Sequence, residues 1–440
     1  MSKMTDHSEL AAKIRGKKSV ITVMGLGYVG LPIALEFAAK GFPVCGLDNN
    51  KKRVEKLKAG RSYINDIPSS KIKKAVRKAN FKATTDESVL GESDAVIICV
   101  PTPLRKVKDP DVSYVIKAAR SMAKYVKRGQ LVILESTTYP GTTRDIMMPL
   151  LEKKGLKAGK DFFLAFSPER IDPGNKKYSF VNIPKVVGGV DAKSTELGEL
   201  LYSRVVGRTI GVSTMETAEV TKLLENTFRI VNIALVNEFS MLCNKLGIDV
   251  WEVIKAASTK PFGYMPFYPG PGIGGHCIPA DPMYLSWKAR KVGFKTKMID
   301  LAAVTNRLVP NYVVERIRSI LSNQGRKLSL SRVLVVGVTY KKDVNDLRES
   351  PALDIINALE KAGTKVSFTD PYIPSLDLPD IRIKGSRLNA ELVRRQDLVL
   401  IAADHTGLNY RMIAAKAKCI FDTRAIFEAL GIKGKNIIKL

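Results

Sequence analysis

The stretch from Ser19 to Asp48 constrains the fold more than any other. Ser19-Val-Ile-Thr-Val-Met24 is a short, β-branched apolar run that leads directly into Gly25-Leu-Gly-Tyr-Val-Gly30. A helical pattern follows through Lys40 and stops at Gly41, and a second apolar run, Pro43 to Leu47, ends in Asp48. Strand, glycine turn, helix, strand, acid is the order of a dinucleotide-binding βαβ unit. Gly25 permits the tight turn, Gly27 lets a pyrophosphate approach bare backbone, and Gly30 allows close helix packing, while the helix N-terminus offers unpaired amides to phosphate. Asp48 is placed to accept from ribose hydroxyls and to repel a 2′-phosphate, which favours NAD over NADP; the basic pair Lys52 and Arg53 works in the opposite direction. Gly25, Gly27, Tyr28, Val29, Gly30, Asp48 and Arg53 are therefore the expected cofactor contacts.

The strand-then-helix alternation continues with Ala95 to Val100, a helix near Val112 to Val126, Gln130 to Glu135, a helix near Thr142 to Lys153, and Phe162 to Phe166. This predicts a doubly wound parallel sheet. Ligands of such sheets bind at the carboxyl ends of strands, so Pro101-Thr-Pro103, with Thr102, and the polar run Glu135 to Thr142, with Thr137, join the candidate contacts. From Thr214 the texture changes to long helical periodicity, over Met215 to Leu246, Val250 to Ala257 and Thr296 to Leu321. Arg332-Val-Leu-Val-Val-Gly337 restarts the strand pattern, and a second doubly wound unit without a GxGxxG turn follows. The expected architecture is α/β: two Rossmann-like parallel-sheet domains joined by a helical central domain. The expected boundaries are an extension over 1–18, a NAD-binding domain over 19–213, a helical domain over 214–325 and a C-terminal domain over 326–440.

A chain of 440 residues is too long for one ordinary core. No apolar run approaches the roughly 20 residues that span a bilayer, and the first twenty residues hold no apolar signal segment. A cytoplasmic protein without membrane insertion is expected. The five cysteines are scattered and the histidines number three, which excludes a disulfide framework and a zinc site from the expectations. The net charge of +28 would steer anionic ligands, but the basic residues are spread along helices and turns, as in Lys71 to Lys78, with no nucleic-acid module among them.

Chemistry concentrates at Pro269-Gly-Pro-Gly-Ile-Gly-Gly-His-Cys-Ile-Pro-Ala-Asp281. A thiol held behind four glycines is placed for reaction and not for packing. If Cys277 added to an aldehyde, hydride removal from the thiohemiacetal would give a thioester that water then hydrolyses. Asp281 fits a proton acceptor for that water, and Asp281-Pro282 equally fits a helix N-cap followed by Pro at the first helical position. Glu219, Lys222, Asn226 and Arg229 share one helix face, either as a salt-bridged surface or as an oxyanion-stabilising one. His276, adjacent to the thiol, points away from it in most backbone conformations and is a weaker candidate base.

These motifs recur together in one family. Gly25 to Gly30, Pro101 to Pro103, Glu135-Ser-Thr-Thr with Pro140-Gly-Thr142, Ser167-Pro-Glu-Arg170, Glu219 to Asn226, Gly274 to Pro279 with Asp281, and Lys341-Lys-Asp with Leu347-Arg-Glu-Ser-Pro351 stand in order. The chain thereby resembles the UDP-glucose/GDP-mannose dehydrogenase family over nearly its whole length after residue 18. The resemblance implies oxidation of C6 of a nucleotide sugar to the carboxylate with two NAD. It implies Cys277 as nucleophile, Lys222 and Asn226 at the oxyanion, Asp281 and Thr137 in water and proton transfer, and Glu169 beside the sugar. It further implies Arg170, Phe267, Tyr268, Gly272, Gly274 and Lys341 as substrate contacts, Arg348 as a cofactor contact, and a homodimer or higher homo-oligomer through the central helical domain. Glu169 is followed by Arg-Ile-Asp-Pro-Gly174, with Pro173 where UDP-glucose enzymes place a glutamate, and this run together with Lys260 to Gly270 is similar to the N-acetylhexosamine branch. UDP-N-acetylglucosamine is the substrate this implies, with UDP-N-acetylmannosamine and then UDP-glucose as rivals. A catalytically idle nucleotide-sugar binder and a basic nucleic-acid-binding protein are the competing classes; the first predicts no NADH and the second steeply salt-dependent binding.

Overall fold

A computed structural model describes residues 5–64, 67–103, 109–172 and 177–440. Pro173, Gly174 and Asn175, on which part of the substrate expectation rests, lie outside the described residues. The chain divides into two compact units, Met1–Glu225 with Trp287–Phe294, and Asn226–Ser286 with Lys295–Leu440.

The first unit is built on an eight-stranded sheet. Its strands are β1 (Ile21–Met24), β2 (Val44–Leu47), β3 (Phe81–Thr84), β4 (Ala95–Ile98), β5 (Leu131–Leu134), β6 (Phe163–Phe166), β7 (Lys185–Gly189) and β8 (Thr209–Val212). They lie in the order β3-β2-β1-β4-β5-β6-β7-β8. The order reverses between β1 and β4, which puts the ligand-binding crevice at their carboxyl ends. Every pair is parallel except β6 with β7, which run antiparallel and which the strand–helix alternation did not foretell. Alternation divides the core: Ile21, Val23, Ala95, Ile97, Leu131 and Ile133 serve one face, and Val96, Ile98, Val132 and Leu134 the other. With both faces covered, these strands read as continuous apolar runs.

The expected N-terminal extension carries a helix, Asp6–Arg15, capped by Thr5. Leu10, Ala11 and Ile14 of this helix are buried in the sheet's core, where each large side chain contributes about 2 kcal/mol of burial. The helix expected over 142–153 is irregular. Pro149 lacks the N–H that would close a regular turn, and a π-helical segment Thr142–Met147 leads into a short α-helix, Met148–Leu151, and a 3₁₀ turn.

In the second unit, helices precede a parallel sheet. No strand occurs among the described residues between β8 and β9 (Arg332–Val336). The long helix Met215–Leu246 passes into this unit, followed by Val250–Ala257 and Lys297–Ser322. The strands β10 (Lys365–Thr369), β13 (Leu398–Ile401), β14 (Ile420–Asp422) and β15 (Ile437–Lys439) join β9 in the order β10-β9-β13-β14-β15. A hairpin of β11 (Ser375–Leu378) and β12 (Ile381–Lys384) stands apart. Val333 and Val335 face a core that includes Val309, Val313 and Ile317 of the helix Lys297–Ser322, whereas Leu334 and Val336 face Ile413 and Phe427.

Candidate active site

The end of β1 forms the cofactor cradle of the first unit. Gly25 is left-handed at φ +94°, and a Cβ there would stand 2.3 Å from the Cys99 carbonyl oxygen. A Cβ on Gly30 would stand 1.9 Å from the Gly25 oxygen, while one on Gly27 would meet nothing within 4 Å. Two glycines thus make the turn, and the third presents bare backbone to open space. The helix Gly30–Ala39 starts at Val29 with no side-chain cap and no first-turn acid, leaving its N–H groups for an anion. Asp48, buried at the end of β2, accepts from the Leu26 N–H at 2.9 Å and the Asn50 N–H at 2.8 Å, with the Arg53 guanidinium 3.5 Å away. A cavity of about 330 Å³ lies alongside, lined by Gly27, Tyr28, Asn50, Lys52, Arg53, Lys56, Tyr63 and Ile64. Arg53 lies over the Tyr63 ring, and the Tyr63 hydroxyl bonds the Leu26 carbonyl. No sequence motif marked Tyr63. These groups fit an adenosine with a diphosphate running to Gly27. Thr102 is buried just beyond β4.

Behind the ends of β5 and β6 lies a buried charge cluster. Lys185 on β7 bonds Glu135, the Pro168 carbonyl at 3.1 Å and Glu169 at 3.4 Å, and the Tyr202 hydroxyl donates to Glu135. Burial pushes Glu135 up to about 8, against the pull of Lys185. Burial would raise Glu169 too, but the charge of Lys185 and a hydrogen bond with Glu135 hold it below its ordinary value, and Lys222 is near enough to add to that effect. The two carboxyls around this one ammonium are thus driven in opposite directions, Glu135 upward and Glu169 downward. Lys185 was not singled out from the sequence, because a lysine within a strand reads as an exposed position. Arg170 pairs with Glu225 at 2.6 Å and donates to the Pro184 carbonyl.

The loop after β5 is tied to the long helix by Glu219. Its carboxylate accepts from the Gly141 N–H at 2.6 Å, the Thr143 N–H at 3.0 Å and the Thr143 hydroxyl at 2.7 Å. Of the two readings of this helix face, an exposed salt-bridged surface is not what forms: Glu219, Lys222 and Asn226 are all buried, and only Arg229 is exposed. Thr137 is half-buried, while its neighbour Thr138 is buried with its hydroxyl lacking any hydrogen-bond partner among the described residues. Its buried, unsatisfied hydroxyl makes Thr138 a candidate within the polar run Glu135 to Thr142 alongside Thr137.

In the second unit, Cys277 opens the helix Cys277–Lys291 and is exposed, whereas the other four cysteines are buried. Asp281 stands one turn further on the same face, buried, and accepts from Asn226 Nδ2 at 2.5 Å. Asp281 is not an N-cap: the helix begins four residues earlier, and Pro282 lies inside it. The glycines ahead of the thiol are fixed by close packing. A Cβ on Gly274 would stand 2.5 Å from the Glu349 oxygen, and one on Gly275 2.7 Å from the Tyr340 ring. The Gly275 N–H donates to the Arg348 carbonyl at 2.9 Å.

Arg348 is itself paired with Asp346 at 2.6 Å and lies within electrostatic reach of the Cys277 thiolate. Burial, with Arg348 adding to it, lowers the His276 pKa. Lys341 is half-buried after β9. The left-handed Gly272, at φ +137°, packs on Pro351. Phe267 packs edge-on against Phe228, and Tyr268 stacks on Trp251. Phe267 also lines an apolar cavity with Val236, Val250 and Ile254.

Three family models match the chain in order, each described as a domain of the UDP-glucose/GDP-mannose dehydrogenase family: the NAD binding domain over residues 19–206, the central domain over 216–308 and the UDP binding domain over 334–429. A UDP-N-acetyl-D-glucosamine 6-dehydrogenase of Salmonella typhi is 36% identical over 88% of this chain and 89% of its own length. A UDP-N-acetyl-D-mannosamine dehydrogenase of Methanocaldococcus jannaschii is 38% identical over 93% and 92%. The solved structure of a UDP-D-ManNAc dehydrogenase from Pyrococcus horikoshii superposes with a TM-score of 0.85 at 36% identity, over 96% of this chain and 98% of that one. With the fold, the glycine cradle and all three domains in agreement, the chain belongs to the UDP-glucose/GDP-mannose dehydrogenase family and is an NAD-dependent nucleotide-sugar dehydrogenase.

Proposed function

We propose that the chain oxidises C6 of a UDP-N-acetylhexosamine, with UDP-N-acetylglucosamine as first choice, to the uronate used in polysaccharide or glycan synthesis. The observation that carries this reading is the exposed Cys277 thiol, one helical turn from a buried Asp281 that is bonded to Asn226. NAD, when bound, supplies the hydride acceptor for both oxidations. After the alcohol has become an aldehyde, Cys277 Sγ adds to C6 and the carbonyl oxygen takes up a proton, giving a thiohemiacetal. Loss of hydride and of that proton leaves a thioester; water then adds, the C–S bond breaks, and the carboxylate and the thiol are released.

Lys222 and Asn226 supply the donors for the oxyanion at C6. Asp281 accepts the proton of the attacking water, Thr137 assists, and Glu169 holds its charge beside the sugar. Arg170, Phe267, Tyr268, Gly272, Gly274 and Lys341 are assigned to the substrate, and Arg348 to the cofactor. Residues 19–213 serve NAD, 214–325 carry the thiol, and 326–440 take the UDP group. The relatives of this family support a cytoplasmic site of action.

The long helix supports self-association. Phe228, Leu235, Phe239, Leu242 and Leu246 are exposed along it at spacings of three, four and seven residues, the pattern of a helix–helix seam. UDP-N-acetylmannosamine is the second reading, favoured by the mannosamine dehydrogenases among the relatives at equal similarity. The deciding experiment measures NADH per sugar with UDP-N-acetylglucosamine, UDP-N-acetylmannosamine and UDP-glucose in parallel. Two NADH with a preference for the first are expected. Preference for another sugar reassigns the substrate, and absence of NADH with all three rejects the proposal.

A further inference from the structure

The five-stranded sheet repeats the nucleotide frame of the eight-stranded one. Gly337 ends β9 as Gly25 ends β1, both left-handed at φ +80° and +94°. The Gly337 N–H donates to the Thr369 carbonyl at 2.9 Å, as the Gly25 N–H donates to that of Leu47 at 2.7 Å. Asp370 follows β10 as Asp48 follows β2. Its Oδ2 accepts the Val338 N–H at 2.7 Å, where Asp48 Oδ2 accepts that of Leu26 at 2.9 Å.

The two frames differ in what meets this carboxylate. Asp48 has the half-exposed Arg53 at 3.5 Å, beside an open cavity. Asp370 Oδ2 instead lies 3.0 Å from Nε2 of His405, which is fully buried. His405 Nδ1 faces the Asp343 N–H at 3.0 Å, so it must be the bare acceptor nitrogen, and Nε2 carries the proton given to Asp370. Thr339 Oγ1, 3.2 Å from Nε2, gives its own proton to the Lys341 carbonyl at 2.8 Å.

Asp343 is a non-glycine residue at φ +58°. Such a conformation is strained and persists only where its surroundings fix it. The Thr406 N–H and hydroxyl fix the Asp343 carboxylate at 2.8 and 2.5 Å, while His405 fixes its backbone.

We propose that His405 is a positioning residue for the nucleoside diphosphate of the substrate: its imidazole closes the acid that a ribose diol would otherwise engage and locks the Thr339–Asp343 turn in the shape that presents Lys341. This rests on the reading of Lys341 as a UDP contact. The turn has to be held at Asp343 by an acceptor at the Nδ1 position. His405→Asn keeps an acceptor near that point, whereas His405→Gln keeps only the donor toward Asp370.

The experiment measures UDP and NAD affinity by calorimetry, and KM for UDP-sugar and for NAD, on the full-length chain with His405→Ala, His405→Asn, His405→Gln and Lys341→Ala. Ala and Gln are expected to weaken UDP about tenfold and to raise the sugar KM in parallel, with NAD within about twofold, and Asn to stay within about threefold of the parent. Asn as weak as Gln, or Ala with parental UDP affinity while Lys341→Ala loses it, overturns the role of His405. Parental UDP affinity in Lys341→Ala instead sinks the underlying reading of the UDP contact. Equal loss of UDP and NAD in all His405 variants reduces the residue to a structural one and likewise overturns the proposal.

Discussion

Asn226 and Asp281 form a buried amide–carboxylate pair, Nδ2 to Oδ2 at 2.5 Å. One amide hydrogen is held by the acid, so the side chain is oriented before any ligand arrives, and the second hydrogen is set in a direction fixed by the first. Asn226→Ala is expected to lower kcat by about 10²–10³ with the KM for NAD unchanged. Asn226→Asp, which sets two acids against each other, is expected to lose at least as much. Steady-state kinetics on both variants check this, and a kcat within a factor of three of the parent in either rejects the oxyanion role.

Because Cys277 is exposed and the other four cysteines are buried, a single equivalent of iodoacetamide should alkylate one position. Peptide mapping by mass spectrometry is expected to find the label at Cys277, with turnover lost in proportion. Cys277→Ser is expected to resist the reagent and to lose uronate production. Labelling at Cys45 or Cys99 would contradict the burial described for them.

Glu219 governs a pH dependence of stability. Burial pushes it up to about 7 from an ordinary 4.5, against the hydrogen bonds from Thr143 and Gly141. The folded chain therefore holds a proton that the unfolded chain releases, and stability falls as pH rises from about 4.5 to about 7. Glu219→Gln cannot ionise and should show a shallower decline. Its amide nitrogen would face a donor, so the variant is expected to be about 1–3 kcal/mol less stable at pH 5. Urea denaturation at pH 5 and pH 7.5 compares the two, and parallel curves would remove Glu219 as the source.

Association through the long helix predicts a charge-sensitive seam. Phe239→Glu with Leu242→Glu, both at exposed positions, is expected to leave the thermal melt within a few degrees while converting the oligomer to a monomer in sedimentation velocity. An unchanged sedimentation coefficient would place the interface elsewhere.

Much of this was legible in the residues. The long helix reads from Met215 to Leu246 because its periodicity is unbroken by Gly or Pro, and the β1 turn reads because only glycine satisfies φ +94° at Gly25 and the 1.9 Å approach at Gly30. Asp281-Pro282 misled because an acid before proline carries the signature of a helix start, whereas here the chain turns helical at Cys277 and absorbs Pro279 and Pro282 in its first turns. Lys185 escaped because its importance comes from burial, a property of the packed sheet and not of the local sequence. The His405–Asp370 pair escaped because thirty-five residues separate partners that β10 and β13 bring to one end of a sheet.

The duplicated frame also sets what small molecules can discriminate. Two turns of matching backbone geometry occur in one chain, yet one acid is met by a half-exposed guanidinium that lines a cavity and the other by a fully buried imidazole. A compound built around an adenosine diol will therefore meet a receptive first half and a closed second half. Selective chemical probes for either half can be designed from a single template by changing only the group that addresses the aspartate.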